Sequence, residues 1–344
     1  MNTNGFIILI RRLLINRIFV ITNVFGLSVG ISSAILLALI VSFELSFDGY
    51  HQDSDRIYRL ISQDVGKGQV SYDPGVPFPL RESFTSDFAE VEYFTMIDAN
   101  SPGGLVTIEK EGRKNSYNEE GNIIAFVHPE YFRIFDYRVI AGDIMAAMST
   151  PNTVAISENL AEKYFGDSKD VLNKMITLDN IAPVKIGAVI KDPPKNTDLP
   201  MELFISFSTF EDERVWDSWS ATSSSVNAFI KLKEKVDSEA FGNKIKDYVQ
   251  KHIEEDESKV TNLLLQPLDE LHHNELLPNF NWRMASMNKI YLLSIIGVLL
   301  LLIAAVNFVN LNTALAIKRS KEIGVRKVLG SSRGQLIWQY LIET

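Results

Sequence analysis

The chain contains no cysteine, so no disulfide staples any part of it, an absence compatible with an oxidising compartment as well as a reducing one. It also lacks any G-x-x-x-x-G-K-S/T run, the turn whose backbone amides and lysine cradle nucleotide phosphates. Any nucleotide must therefore be handled by a partner. Charge is missing from residues 18–43 and again from 290–317. Each run exceeds the roughly 20 apolar residues that cross a bilayer as a helix, and is long for a buried core helix. Histidine is absent from both runs, which weighs against the one catalytic motif they contain. Gly26, Leu27, Ser28, Val29 and Gly30 match the G-x-S-x-G nucleophile elbow, but that elbow needs a strand-to-helix turn and a nearby histidine. Inside an apolar helix the same residues read as packing.

What is present is charge, unevenly placed. Residues 44–288 carry 24 Lys and Arg against 41 Asp and Glu, a net charge of −17, while the remainder carries 10 basic and 2 acidic residues. Arg11, Arg12 and Arg17 precede the first apolar run, and Lys318, Arg319, Lys321, Arg326, Lys327 and Arg333 follow the second. Basic flanks stay in the cytoplasm, so both ends are expected there and the acidic middle outside. The first run is too long for the apolar region of a signal peptide, and no small-residue cleavage pattern follows it. The expected layout is a cytoplasmic interfacial helix over 1–17, a transmembrane helix over 18–43, an extracytoplasmic domain over 44–289, a second transmembrane helix over 290–317, a cytoplasmic segment over 318–332, and over 333–344 the start of a third, truncated transmembrane helix.

Within the first span Gly26, Gly30, Ala34 and Ala38 recur every four residues, a small-residue ridge that lets another helix approach closely. The same spacing arises by chance in a span rich in glycine and alanine. In the second span Asn307 and Asn310 share a face, where amides bond to a neighbouring helix or sit near the headgroups. The external segment mixes periods, and an α+β fold is expected. Residues 56–62, 106–109, 154–156, 175–178 and 184–191 read as strands and 101–104 as a turn. Residues 80–88 and 237–254 read as helices, as does the stretch opened by Ser157 as N-cap and closed by Gly166. His272, His273 and Glu275 could ligand a metal, but a polar loop near the membrane fits better, and no metal is expected. The acidic run 254–257 lacks the ligand spacing and glycine of a calcium loop. Past the second span, 319–329 has a helical pattern interrupted by Gly324 and halted at Gly330.

Four passages carry a family resemblance: NRIFVITNVFGLSVGI entering the first span, FDGYHQDSDRIYRL just after it, PNTVAISENLAEKYFGD with KDPPKN in the external domain, and NFVNLNTALAIKRSKEIGVRKVLGSSRGQLIWQYLIE at the end. Together they resemble the MacB/FtsX-like permease family of ABC transporters, in its long Bacteroidetes-type form. The resemblance implies an α-helical membrane protein of the bacterial inner membrane with a large periplasmic domain made of a Porter-like and a Sabre-like lobe. It implies no catalytic site and no cofactor in this chain. Its partners would be a cytoplasmic ABC ATPase subunit, a second permease copy or paralogue, membrane lipid and a periplasmic adaptor, with no nucleic acid. It further implies an ATPase-coupling segment containing Arg319, Lys321, Glu322, Ile323, Gly324, Val325, Arg326 and Lys327. Family members have at least four spans, so the chain is expected to be the N-terminal part of a permease or a fragmentary gene product. Members serve drug or peptide export, lipoprotein release or control of cell-wall hydrolases. The competing expectation is a two-span receptor with an external ligand domain; a membrane-anchored enzyme comes third, for want of a catalytic constellation.

Overall fold

The computed structural model describes residues 17–66, 69–99, 104–110, 112–119, 121–168, 170–179, 182–210, 219, 222–252, 260–330, 332 and 334. They fall into two compact units, one spanning Ser46–Ser286 and the other built on the flanking helices. The first helix, α1, runs Arg17–Glu44, and its stretch Ile21–Glu44 is long and apolar enough to cross a membrane. A helix is the one open-ended element that satisfies all its backbone groups internally in such a stretch.

The Ser46–Ser286 unit contains β1 (Ile57–Gly66), β2 (Gln69–Asp73), α2 (Leu80–Asp87), β3 (Val91–Asp98), β4 (Leu105–Lys110), β5 (Arg113–Asn118) and β6 (Ile124–Val127). Next come α3 (Tyr131–Ile134), β7 (Val139–Gly142), α4 (Ile144–Met148), β8 (Thr153–Ser157), α5 (Glu158–Phe165), β9 (Met175–Leu178) and β10 (Ala182–Ile190). It ends with β11 (Leu203–Ser206), β12 (Val226–Leu232), α6 (Ser238–Ile245) and β13 (Val260–Pro267), before α7 (Met287–Val328). One mixed sheet runs in the order β13-β1-β12-β3-β6-β11-β8-β10-β9-β4-β5, with β2 added to β1 and β7 to β10. Most pairs are antiparallel, whereas β8 with β10 and β6 with β11 are parallel. The first and last strands pair along eight positions, from Tyr58 with Pro267 to Val65 with Val260. That pairing sets the domain's entry and exit strands side by side.

Alternation along each strand divides the core between two faces. Val226, Ala228, Ile230 and Leu232 of β12 pack with Phe84 and Phe241 under α2 and α6 at one end of the sheet. On the same face at the other end, Val154 and Ile156 of β8 pack with Leu160 and Tyr164 of α5. The intervening residues Phe229 and Ala155 face the opposite side, against Tyr131, Ile134, Met148 and Leu268. In β10 the phase slips by one at a bulge between Ile186 and Ala188. There Gly187 is obligatory, because a Cβ would lie 2.6 Å from Thr153 Cγ2 and 2.8 Å from Ala147 Cβ.

Ser157 caps α5 through a bond from the Leu160 amide to its hydroxyl, and Gly166 ends it at φ 80°. The expected helix over 237–254 is shorter: α6 stops at Ile245, and a separate 3-10 turn covers Val249–His252. The cause is tertiary, since the Lys246 carbonyl accepts the Leu263 amide of β13 at 2.8 Å instead of a helical amide. The expected turn over 101–104 and the acidic run 254–257 lie largely outside the described residues, as do the interfacial helix over 1–17 and the third-helix start over 333–344.

The last helix, α7, is continuous over 42 residues and contains the apolar stretch Met287–Thr313. It passes through Gly324 without a break, contrary to the expected interruption, and the chain turns at Gly330 with φ 96°. A glycine costs a helix only about 1 kcal/mol, too little to outweigh propagation from an established helix. The two long helices pack antiparallel: a Cβ built on Gly30 falls 2.5 Å from Ala304 Cβ, and one on Gly297 falls 3.7 Å from Leu37 Cβ.

Candidate functional site: a buried polar knot and a helix pair

The segment just after α1 is fixed inside the domain by side-chain hydrogen bonds. The Asp48 carboxylate accepts the Thr197 hydroxyl and, at 3.0 Å, the Asp198 amide. Thr197 in turn accepts from the Tyr50 hydroxyl at 3.3 Å and the Leu199 amide at 3.0 Å. The Asn196 amide group donates to the Ser46 carbonyl at 2.9 Å. Residues 46–50 and the loop 196–199 are thereby tied together.

A third strip joins them from the segment before α7. Asp198, fully buried, accepts Asn279 Nδ2 at 2.8 Å and meets His272 Nδ1 at 3.2 Å. The His272 ring stacks on Phe47 with centroids 3.6 Å apart, and Asn281 Nδ2 donates to the Thr197 carbonyl at 3.1 Å. Arg59, also fully buried, spans the same region. Its Nε donates to Gln266 at 2.8 Å, and its Nη1 to Asn227 at 3.1 Å and to the Pro278 carbonyl at 3.0 Å. Burial pulls the guanidinium down to about 10, against the attraction of Asp198 that raises it, so it remains a cation at neutral pH. Buried polar groups this densely bonded rigidify their surroundings. Asp48, Asp198 and His272 are closed to solvent, an arrangement for holding three chain segments rather than for meeting a substrate.

Burial raises the Asp48 carboxyl to about 7, with the Asp198 charge adding to the effect and the Thr197 hydroxyl opposing it. Burial lowers His51 to about 4, so its ring is neutral, accepting the Asp136 amide at Nδ1. The signs differ. Asp48 holds its proton more tightly when folded, so its contribution to stability falls as pH rises from 3.8 to about 7. His51 resists protonation when folded, so its contribution falls as pH drops from 6.5 to about 4. Asp48→Asn is expected to remove the loss of stability that Asp48 causes as pH rises from 3.8 to about 7, while leaving the opposing loss from His51 as pH drops from 6.5 to about 4. Urea midpoints of the full chain in micelles at several pH values measure this. A variant whose stability changes between about pH 4 and 7 as the parent's does would assign that dependence elsewhere.

These residues were not legible as a cluster. His272 was expected in a polar loop, yet it is buried, because Phe47 and Asp198 enclose it. Among the described residues no group of three His, Asp or Glu side chains is placed to hold a metal. The available sign was Arg59, a charge flanked by apolar residues inside a strand.

The helix pair brings together part of the small-residue ridge. Gly30 and Ala34 are buried and Gly26 half-buried, a Cβ on Gly26 lying 3.0 Å from Asn307 Nδ2. Ala38 is exposed. Four-residue steps rotate about 40° each on a helix of 3.6 residues per turn, so the fourth member drifts off the seam. A seven-residue pattern replaces it, with Asn23, Gly30 and Leu37 on α1 and Gly297, Ala304 and Leu311 on α7 at least half-buried, the period of a left-handed helix pair. Asn310 is exposed. Ser28 is also exposed, in the middle of a continuous helix, so the strand-to-helix turn of a nucleophile elbow is absent. The backbone of Arg319, Lys321, Glu322, Ile323, Gly324, Val325, Arg326 and Lys327 belongs to α7. Gly324 has open space around it and Val325 is exposed, while the other six side chains lie outside the described residues.

The MacB-like periplasmic core domain matches residues 20–248, and the FtsX-like permease C-terminal region matches 294–344. The Macrolide export ATP-binding/permease protein MacB of Salmonella typhi is 20% identical, over 95% of this chain and 48% of that protein. MacB 1 of Yersinia pestis is 21% identical with the same coverage of 95% and 48%. The chain thus spans about half the length of the curated relatives it matches. A crystal structure of a domain of a protein described as a permease, from Porphyromonas gingivalis, superposes with a TM-score of 0.51 at 19% identity, covering 62% of this chain and 90% of that one. At that identity the likeness speaks for the fold alone. With a MacB-like core match over most of its length and an FtsX-like match entering α7, the chain belongs to the MacB/FtsX-like permease family of ABC transporters.

Proposed function

We propose that this chain is the permease part of a MacB/FtsX-type ABC transporter that carries motion from a separate cytoplasmic ATPase to an extracytoplasmic domain. In this reading α1 and α7 cross the bacterial inner membrane, the acidic domain over 44–289 lies in the periplasm, and the basic flanks face the cytoplasm. The observation that carries it is the continuity of α7. At 42 residues the helix is about 63 Å long, twice the roughly 30 Å hydrocarbon core. Its C-terminal turns, over 318–328, therefore extend the span as one rod, and a push there is carried along the whole of α7. Within the domain the polar knot joins residues 46–50, which follow α1 in the chain, to residues 272–281, which precede α7. The end of the sheet built on β1, β12 and β13 then corresponds to the Porter-like lobe, and the end built on β8, β9 and β10 to the Sabre-like lobe.

The matched families are permease families, which favours this reading over a two-span receptor. Further partners on the same reading are a second permease copy or paralogue and a periplasmic adaptor. Export, lipoprotein release and hydrolase control are all compatible with a mechanical output.

The test replaces Gly324 by Trp and, separately, Arg326 by Glu in the complex reconstituted with the ABC ATPase that co-purifies with the chain. Both variants are expected to insert and fold normally but to lose most permease-stimulated ATP hydrolysis, and Val325→Cys is expected to cross-link to the ATPase. Normal stimulation in both variants, with no cross-link, would leave the segment as a positive-inside anchor.

A further inference from the structure

We propose that the loop from His272 to Ala285 is a membrane-interface anchor, presenting Leu276 and Trp282 to the phospholipid headgroup and glycerol layer. The inference rests on reading α7 as a span.

The loop is closed at its neck by two bonds, from the Ala285 amide to the His272 carbonyl at 3.0 Å and between His273 Nδ1 and the Ala285 carbonyl at 2.8 Å. Ala285 lies two residues before the first residue of α7, so the covalent chain alone keeps the neck within about 7 Å of the helix start. The middle of the loop is pinned inward: Leu277, Asn279 and Phe280 are buried, and the Pro278 carbonyl accepts from Arg59. On either side of this pinned stretch two large apolar side chains face outward, Leu276 at 77% and Trp282 at 69% exposure.

Trp282 is held there at a backbone cost. Its φ is 55°, a left-handed conformation that bulky side chains rarely adopt. Both neighbours are fixed: Asn281 donates to the Thr197 carbonyl at 3.1 Å, and the Arg283 carbonyl accepts Asn279 Nδ2 at 2.8 Å. The knot that clamps residues 46–50 to residues 196–199 thus also fixes the indole outside the domain. A strained, firmly held and exposed tryptophan needs an environment that favours it.

The chemistry around it selects the headgroup layer over bulk water or a protein groove. An indole combines an apolar body with one donor, the combination that partitions to the membrane–water interface. Arg283 beside it supplies a cation at the level of lipid phosphates, its guanidinium 5.6 Å from the Phe47 ring centre. Asn274, Glu275 and Asn281 interrupt the apolar residues with polar ones, which suits a layer that is itself half-wet.

The chain has no cysteine, so single-cysteine variants can carry a nitroxide without background. Leu276→Cys, Trp282→Cys, Val298→Cys and Ser116→Cys are labelled in the full chain, reconstituted in phosphatidylethanolamine–phosphatidylglycerol vesicles. Collision rates with oxygen, which concentrates in lipid, are compared with those of a water-soluble nickel chelate. Val298 should read as lipid-embedded and Ser116 as aqueous. The proposal expects both loop labels in between, with an oxygen-to-nickel ratio above that of Ser116 and below that of Val298, as residues at the headgroup level should show. Leu276 has an ordinary backbone conformation, so its label gives the reading even if Trp282→Cys disturbs the loop. Loop labels as aqueous as Ser116, beside a lipid-embedded Val298, would overturn the anchor and leave the span reading standing. An aqueous Val298 would overturn both. Loop labels shielded from both reagents would indicate protein contact and also overturn it.

Discussion

Replacing Arg59 by alanine is expected to unfold the extracytoplasmic domain, the largest stability loss of any single substitution outside the helices. Arg59 is the largest of the fully buried side chains among the described residues, and its guanidinium serves three acceptors, on Gln266, Asn227 and Pro278. Truncation strands all three in a dry interior, at about 1–3 kcal/mol each. It also removes a cation whose charge attracts the buried Asp198. Set against a total stability of about 5–15 kcal/mol, these terms leave little folded protein. Arg59→Lys should rescue poorly, because a single ammonium on a flexible stem cannot reach three acceptors arranged for a planar fork. Arg113, exposed on β5, is the control, and its alanine variant should lie within about 0.5 kcal/mol of the parent. Urea unfolding followed by near-ultraviolet circular dichroism measures all three. An Arg59→Ala protein within about 1 kcal/mol of the parent, the range of an exposed ion pair, would show that the knot contributes little.

That contrast explains which parts of the fold could be read from the residues. Strands of bounded length, such as 175–178 and 184–191, were visible because short apolar alternation, even with its slip at Gly187, and the Asp192-Pro193-Pro194 stop are local features. The helix α5 was visible because Ser157 and Gly166 cap it with their own atoms. By contrast β11 and β12 are buried on both faces, so apolar residues fall on both sides of each strand and neither shows a clean alternation to declare its period. The end of α6 was invisible for a different reason. It depends on Leu263 of β13 claiming the Lys246 carbonyl, a partner distant in sequence. The polar knot failed in the same way. Asp48, Asp198 and His272 each look like ordinary surface residues, and even Arg59 names no partner, until the sheet brings four separate segments together through bonds that span 74 to 219 positions. In the helix pair the small residues were legible, but the seam was not. A four-residue ridge and a seven-residue seam share Gly30 and diverge by Ala38, and only the partner helix decides between them.

The same seam yields the second large effect. Gly30→Leu is expected to drive α1 and α7 apart, because even the first carbon of a side chain would stand 2.5 Å from Ala304 Cβ. Nothing there can yield cheaply: the obstructing atom is attached directly to the helix backbone, so relief requires one whole helix to move. Helices in lipid gain nothing from hydrophobic burial against each other, and close packing between small residues is the main source of their association. Overpacking a well-fitted contact costs about 1–3 kcal/mol, comparable with what such a pair can gain. The expected result is a helix pair that no longer forms a disulfide between Leu37→Cys and Gly297→Cys, positions that face each other across the seam in the parent. Gly30→Ala should show an intermediate loss, and Ser28→Ala almost none, since Ser28 is exposed beside the same seam. Because α1 and α7 enter and leave one domain, the mechanical reading adds a further consequence. Gly30→Leu should abolish ATPase stimulation while Arg59 and its partners keep the domain folded, as judged by near-ultraviolet circular dichroism. Efficient cross-linking in Gly30→Leu would show that the pair is held by something other than this contact. Loss of stimulation in Ser28→Ala with cross-linking intact would return attention to the serine itself.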